Sequence, residues 1–333
     1  MIHEIQHQDD IVQTTNANSA TDISIPSSYK EAMLSNNKSE WIQVINEELT
    51  SMKNEGVFEM VDLNDALKNV PHESILSMKW VFTKKPDCFK AQLVARGFSQ
   101  IHGINYTDTF APTPTFSSLF LLFSTACMKQ WPIRTFDVKV AFLHSLIDKP
   151  VYLWPPTGIQ VPKFKILKLR KALYGTKQAS RCWWLHLKGI LMDISFVSNG
   201  EDARTYTLNR DGQQAILWIH VDDGPLTASS GSLICWISQR LEQHIKIKWD
   251  KEIKGLVGIS IKAKKEGFKL YQPDLITKLI NLTQPYLKRI GILLYIAQAS
   301  RPDISYAVNY LARFSLHTTE LHWEALNHLI AYL

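Results

Sequence analysis

Cysteine is scarce in this chain. Four occur in 333 residues, and Cys88, Cys127, Cys182 and Cys235 are widely spaced with no C-x-x-C pair. That spacing excludes a zinc-finger framework and a disulfide scaffold, and favours reduced thiols in an intracellular protein. The opening Met-Ile-His-Glu-Ile-Gln-His lacks a basic segment followed by an apolar core, so no secretory signal is read. No apolar run is long enough to span a bilayer. A soluble protein is expected, cytoplasmic or particle-associated, with no membrane partner. Internal repeats are absent, as are low-complexity tracts past the first 30 or so residues. Charge of one sign is in small excess: 37 Lys and Arg against 31 Asp and Glu give +6. This fits a polyanionic partner without demanding one. With 45% hydrophobic and 20% charged residues, the chain has the composition of a folded protein with room for two or three substructures.

Against that plain background stands Ile216-Leu217-Trp218-Ile219-His220-Val221-Asp222-Asp223. An apolar run of strand length ends in adjacent carboxylates, and Gly224-Pro225 follows as a turn or strand breaker. Ionised Asp is costly to bury unless it is paired, hydrogen-bonded or bound to metal. Carboxylates presented at a turn suit hard divalent cations. The commoner explanation for such a pair is an ordinary Asp-rich hairpin turn. A second Asp inside an apolar strand pattern, Asp137 in Ile133-Arg134-Thr135-Phe136-Asp137-Val138, asks for the same kind of partner. Lys163, Lys165, Lys168, Arg170, Lys171, Lys177 and Arg181 run through a stretch with no acidic residue. This is a solvated face or a track for a phosphate backbone.

Along the chain, residues 1–30 read as a polar, disordered leader. Order is expected from about Ser39, where Trp41, Val44, Ile45, Leu49 and Met52 share one helical face behind a cap at Asn37 or Ser39. Strands are expected at 57–61, 78–82 and 90–98, and a buried helix at 116–130. A Gly turn at Leu173-Tyr174-Gly175-Thr176-Lys177-Gln178 opens a helix through Trp183, Trp184, Leu187 and Leu191. A helix and strand fill 233–249, and short strands follow at 253–261 and 267–271. Two helices, at 287–299 and 303–314, are expected to close the chain, and the final segment, His322 to Leu333, is apolar on one face.

These stretches resemble, in order, the reverse transcriptase of copia-type (Pseudoviridae) retrotransposon polyproteins. The carrying segments are Lys79–Phe82, Lys90–Phe98, Tyr106–Pro112, Phe136–His144, Leu173–Ala179, His220–Asp223 and Arg301–Tyr306. The resemblance spans roughly residues 30–333. It implies an α+β right-hand polymerase: fingers and a ferredoxin-like palm over 31–272, and a truncated helical thumb or connection region over 273–333. The family's RNase H domain would begin near Leu333, and with no acidic RNase H constellation in the sequence that domain is expected to be absent. By the same resemblance Asp137, Asp222 and Asp223 are catalytic and, with the Val138 carbonyl, hold two Mg²⁺ ions, with Mn²⁺ as an alternative. Phe142 sits where an aromatic ring selects deoxynucleotides. Gly175, Lys177, Gln178, Lys90 and Arg96 surround nucleotide and phosphates, and His220 and Val221 border the primer terminus. RNA template, DNA primer and dNTPs are the implied partners, and an oligomeric state is not implied.

This copy departs from the family pattern. His220 replaces the usual Tyr, Gln92 and Phe120 replace Arg, and Thr176 and Ser180 replace Leu and Pro. Pro225 is expected to weaken the second hairpin strand or push it to a sheet edge. The finger hairpin around Pro86–Phe89 and the segment between Leu279 and Ile290 are shorter than the family's. An inactive remnant that at most binds nucleic acid is therefore the alternative. A metal-dependent nuclease, which also clusters Asp on a sheet, lacks a second acidic group here.

Overall fold

The computed structural model describes residues 25–85, 88–250, 253, 255–264, 267–282 and 285–333. The expected leader lies mostly outside them. Within them, regular structure starts earlier than Ser39. Helix α1 (Tyr29–Leu34) is capped by Ser28, whose Oγ accepts the Glu31 N–H. Helix α2 (Lys38–Asn54) buries Trp41, Ile45 and Met52 on the face that the spacing predicts. Its N-cap is Asn37, whose side chain makes no capping bond.

Strand β1 (Phe58–Asp62) leads into α3 (Leu63–Leu67), with Asp62 as N-cap. Strands β2 (Met78–Lys85) and β3 (Cys88–Ala95) pair as an antiparallel two-stranded ribbon. Such a ribbon is marginal alone. Helix α2 covers it, with Trp41 edge-on to Phe82 and Phe89 at ring separations of 5.2 and 4.6 Å. A fully buried side chain of this size contributes roughly 2–3 kcal/mol. Of the expected shortened hairpin, Pro86 and Asp87 lie outside the described residues.

Helix α4 (Phe116–Lys129) buries only Leu119, Leu122, Phe123 and Ala126, while Leu121 and Met128 face solvent. The expected fully buried helix is therefore half-buried, because one face alone meets the sheet. Then come β4 (Ile133–Val138), β5 (Tyr152–Leu153) and β6 (Lys165–Leu169), the last two forming a three-stranded sheet in the order β1-β6-β5. Helix α5 (Ala179–Asp193), strands β7 (Val197–Ser198), β8 (Thr205–Arg210), β9 (Gln213–Trp218) and β10 (Asp223–Ala228), helix α6 (Gly231–Glu242) and β11 (Ile247–Asp250) follow.

These strands join β4 in one antiparallel sheet of order β11-β4-β10-β9-β8-β7. Its inner part runs β4-α5-β9-β10-α6-β11, a β-α-β-β-α-β unit. Alternation sorts the faces. Phe136, Val138, Leu217, Leu226 and Ala228 pack with Trp183 and Leu187 of α5 and Ile234 and Ile237 of α6. Ile133, Ile216 and Trp218 point to the other face, against α4 and a small sheet of β12 (Gly255–Leu256), β13 (Ile259–Lys264) and β14 (Gly267–Tyr271). Helices α7 (Pro273–Ile280), α8 (Tyr286–Ala299), α9 (Ser305–Ala312) and α10 (Glu320–Tyr332) gather around Leu293, Ile296, Val308 and Leu326. Among the described residues, no helix is long and apolar enough to cross a membrane.

Two expectations are corrected. Gly224-Pro225 is neither turn nor edge: it lies inside β10, between β4 and β9. The ladder tolerates it because pairing to β9 starts only at Leu226↔Leu217, after the His220↔Asp223 bridge, leaving a gap at the Gly-Pro step. A Cβ on Gly224 would stand 2.0 Å from the Trp218 carbonyl oxygen, so the close strand approach requires glycine. The basic run is also no bare track. Lys165 pairs with Asp62, Lys168 and Arg170 with Glu59, Lys171 with Glu55, and Arg181 with Asp108 and Asp148.

Candidate active site

The carboxylates meet at one end of the large sheet. Asp223 and Asp137 are direct cross-strand partners, a Cα spacing of about 4.5–5.5 Å in such ladders. Asp137 alternates with the buried Phe136 and Val138 and is itself exposed, so it is not the buried strand Asp that its apolar neighbours suggest. The β9–β10 turn is His220-Val221-Asp222-Asp223, closed by His220 N to Asp223 O at 2.8 Å and Asp223 N to His220 O at 3.1 Å. It swings Asp222 towards β4, where the Val138 N–H donates to the Asp222 carbonyl at 2.7 Å.

Val221 occupies the left-handed region at φ 55°, costly for a β-branched residue. Its carbonyl accepts the indole N–H of Trp183 at 2.6 Å, which anchors the turn to the buried side of α5. His220 is half-buried, its ring nearly parallel to Trp218 at 6.2 Å and its Nδ1 3.7 Å from Asp223 Oδ1. Val140 is left-handed too, at φ 51°, in the turn that carries the chain from Asp137 to Phe142.

Burial, and then the charges of Asp223 and Asp137, push the Asp222 carboxyl up to about 6, with His220 opposing. Two acids of this turn and a third on the adjoining strand β4 thus stand in mutual repulsion. Among the described residues no three His, Cys, Asp or Glu side chains are gathered tightly enough to hold an ion as they stand. The donor chemistry nevertheless suits hard divalent cations: oxygen ligands on adjoining strands, with mutual repulsion that a cation relieves.

The other expected site residues arrive from separate elements. Phe142 stands in a short 3₁₀ turn (Ala141–His144), its ring edge-on to Tyr174 at 4.7 Å. Burial first, and then Asp222, Glu48 and Asp137, raise the Tyr174 phenol above its usual range, so this ring lies within the carboxylates' field. Gly175, at φ 85°, leaves only 2.1 Å between its would-be Cβ and the Ala95 carbonyl, and the Ala95 N–H donates to the Tyr174 carbonyl at 2.9 Å. The glycine loop is thereby locked to the end of β3.

Lys177 is exposed, but Gln178 is not. The Gln178 side chain is fully buried, accepting from Gln100 Nε2 at 2.9 Å and donating to the Asn105 carbonyl at 2.8 Å. Direct contact with a nucleotide, as its place in the motif implies, is closed to it. Its amide holds the loop from beneath. Lys90 on β3 and Arg96 just beyond it are exposed and make no side-chain hydrogen bond or ion pair among the described residues. No contact brings either to the carboxylates. Sequence reasoning passed over Tyr174, Gln100 and Asn105. Tyr174 lay within a quoted motif, whereas nothing local singles out Gln100 or Asn105.

Comparison with known proteins follows the same segments. The family model described as reverse transcriptase (RNA-dependent DNA polymerase) matches residues 55–293. The retrovirus-related Pol polyprotein from transposon RE1 of Arabidopsis thaliana is 33% identical over 300 residues, covering 79% of this chain and 20% of the polyprotein. The corresponding polyprotein from transposon TNT 1-94 of Nicotiana tabacum is 26% identical, covering 92% and 26%. The chain thus spans about a fifth to a quarter of these relatives. A solved foamy viral protease-reverse transcriptase in complex with double-stranded DNA aligns over 87% of this chain and 47% of that one, with 14% identity and a TM-score of 0.48.

Proposed function

This chain belongs to the copia-type reverse transcriptase family, and from that premise we propose that it extends a DNA primer on an RNA template, joining dNTPs to the primer 3′-hydroxyl. In this reading the β-α-β-β-α-β sheet is a ferredoxin-like palm. The β2–β3 ribbon with α2 forms the fingers, and the helices from residue 273 onward a partial thumb or connection region. The observation that carries it is the direct pairing of Asp137 with Asp223, beside an Asp222 whose carboxyl is pushed up by burial and then by both of these charges.

Asp137, Asp222, Asp223 and the Val138 carbonyl would hold two Mg²⁺ ions, with Mn²⁺ as a substitute. When bound, these cations supply the charge that activates a hydroxyl nucleophile and stabilises a pyrophosphate leaving group. The protein's own groups do the placing. Phe142, fixed against Tyr174, presents its ring where a 2′-hydroxyl would clash, which selects deoxyribose. Lys177 offers its ammonium to the triphosphate, and Lys90 and Arg96 offer charge to nucleic-acid phosphates. The His220-Val221 turn abuts the primer terminus, held there by Trp183.

The test is Mg²⁺-dependent extension of a DNA primer on an RNA template beside an Asp222→Asn control. Incorporation that the substitution abolishes supports the polymerase. A cooperatively folded protein that binds primer–template and never extends it is the inactive remnant instead.

A further inference from the structure

Beneath Lys177 lies a chain of buried amides. The Lys177 N–H donates to Gln100 Oε1 at 2.6 Å, Gln100 Nε2 donates to Gln178 Oε1 at 2.9 Å, Gln178 Nε2 donates to the Asn105 carbonyl at 2.8 Å, and Asn105 Nδ2 donates to the Ser74 carbonyl at 3.1 Å. Gln100 is 5% exposed, and Asn105 and Gln178 are 0%. Every link is satisfied, which is the condition under which a buried polar network fixes one geometry. Above it, the Lys177 ammonium is open to solvent. It donates to the Gln100 carbonyl and the Tyr106 hydroxyl, both at 3.3 Å, and sits 4.8 Å from the centre of the Tyr106 ring.

The partners of this lysine differ from those of the four basic residues between 165 and 171. Lys165 pairs with Asp62, Lys168 and Arg170 share Glu59, and Lys171 pairs with Glu55, whereas Lys177 has no carboxylate partner among the described residues. It rests on a carbonyl, a phenol and an aromatic face, all of which orient a cation without cancelling its charge. Long neutral hydrogen bonds also leave donor capacity for an incoming anion.

We infer that Gln100 and Tyr106 are positioning residues that hold the Lys177 ammonium as a receptor for the triphosphate of the incoming nucleotide. Gln100 sets the backbone of the loop, and Tyr106 sets the direction of the side chain. This rests on the polymerase reading above. Gly97 supports it from outside the amide chain: a Cβ there would lie 2.0 Å from the Gly175 carbonyl oxygen, so the segment bearing Gln100 is pressed directly against the glycine loop.

The test is a double-mutant cycle between Gln100→Ala and Lys177→Ala, read as KM for dNTP and kcat in primer extension. The same cycle is read as dNTP-dependent retention of labelled primer–template by the Asp222→Asn protein, which needs no chemistry. A protein that fails in extension yet gives the retention signal therefore fails the polymerase reading and still tests this one. Each single substitution is expected to weaken dNTP about tenfold, the scale of a lost charge-assisted hydrogen bond, with kcat changed less than about twofold. The double variant is expected to be no worse than Lys177→Ala. Additive losses in the cycle, or a Gln100→Ala loss that falls on kcat alone, overturn the inference. If Gln100→Ala does not fold, Tyr106→Leu replaces it in the cycle. Tyr106→Phe is then expected to retain most of the affinity through its ring, and equal losses from Phe and Leu overturn the role given to the ring.

Discussion

Replacing Asp222 by Asn should make the metal-free protein more stable while removing catalysis. The Asp222 carboxyl is held at about 6 against an ordinary 3.8, chiefly by burial and then by Asp223 and Asp137. At about 1.36 kcal/mol per unit, that shift corresponds to about 3 kcal/mol of strain on the ionised form. The side chain is partly solvated and its neighbours are screened, which reduces the usable figure to about 1–2 kcal/mol. The sign follows from proton binding. Between pH 4 and 6 the folded protein retains a proton that the unfolded chain has released, so stability falls as pH rises through this window and stays low above it.

Asn carries no such penalty. The variant should therefore melt a few degrees higher than the wild type at pH 8 in EDTA, with the difference vanishing near pH 4. Mg²⁺ should narrow the gap at pH 8, because ligands of the folded state stabilise by mass action and the variant binds the ion less well. Calorimetric melts of both proteins at pH 4.5, 6 and 8, with and without Mg²⁺, provide the measurement. A variant that is less stable at pH 8, or whose advantage is the same at every pH, would refute the placement of three mutually repelling carboxylates at this turn.

Other outcomes follow from single contacts. Gly224→Ala forces a methyl group against the Trp218 carbonyl and should cost about 3 kcal/mol, seen as a lowered urea midpoint. Trp183→Phe keeps most of the buried ring but leaves the Val221 carbonyl without its donor, at a cost of about 1–3 kcal/mol. Primer extension should fall further than this stability loss explains, since the carboxylate turn is what loosens. Glu55→Gln should lower the melting temperature at pH 7. Although burial opposes it, hydrogen bonds and charge from Lys246 and Lys171 hold the Glu55 carboxyl below its ordinary range, and that stabilisation is lost as pH falls through the carboxylate range. The wild-type and Gln proteins should therefore converge in acid.

Much of this architecture can be read from local pattern. The apolar, β-branched pattern of Ile133–Val138 and the unbroken apolar run Ile216–Ile219 mark two strands of the sheet, and the spacing of Trp41, Ile45 and Met52 marks α2. What escapes reading depends on partners distant in the chain. Pro225 looks like a strand breaker because the gap in the β9 ladder that accommodates it is a property of the hairpin. Gln178 looks like a ligand because its burial depends on Gln100, 78 residues earlier. The positive run looks like a phosphate track because Glu55, Glu59 and Asp62, which pair with its residues from Lys165 to Lys171, belong to α2's end and β1. Helix α7 escapes for a different reason: Pro273 and Asp274 mark its start legibly, yet its eight residues follow directly on β14.

The carboxylates themselves show how far the site depends on the whole sheet. The Asp222-Asp223 pair is local, but its geometry requires Val221 in a backbone region that costs a β-branched residue about 1–2 kcal/mol. A free hairpin of this sequence would relax. Three contacts prevent it: the Trp183 indole on the Val221 carbonyl, the Val138 N–H on the Asp222 carbonyl, and the Asp137↔Asp223 pairing. All three reach back to β4 or α5, which form one core with β9, β10 and α6. The acids are therefore held close, against their own repulsion and against local strain, by apolar packing on the opposite face of the sheet. A substitution that loosens that face, far from any carboxylate, should separate the acids before it unfolds the chain.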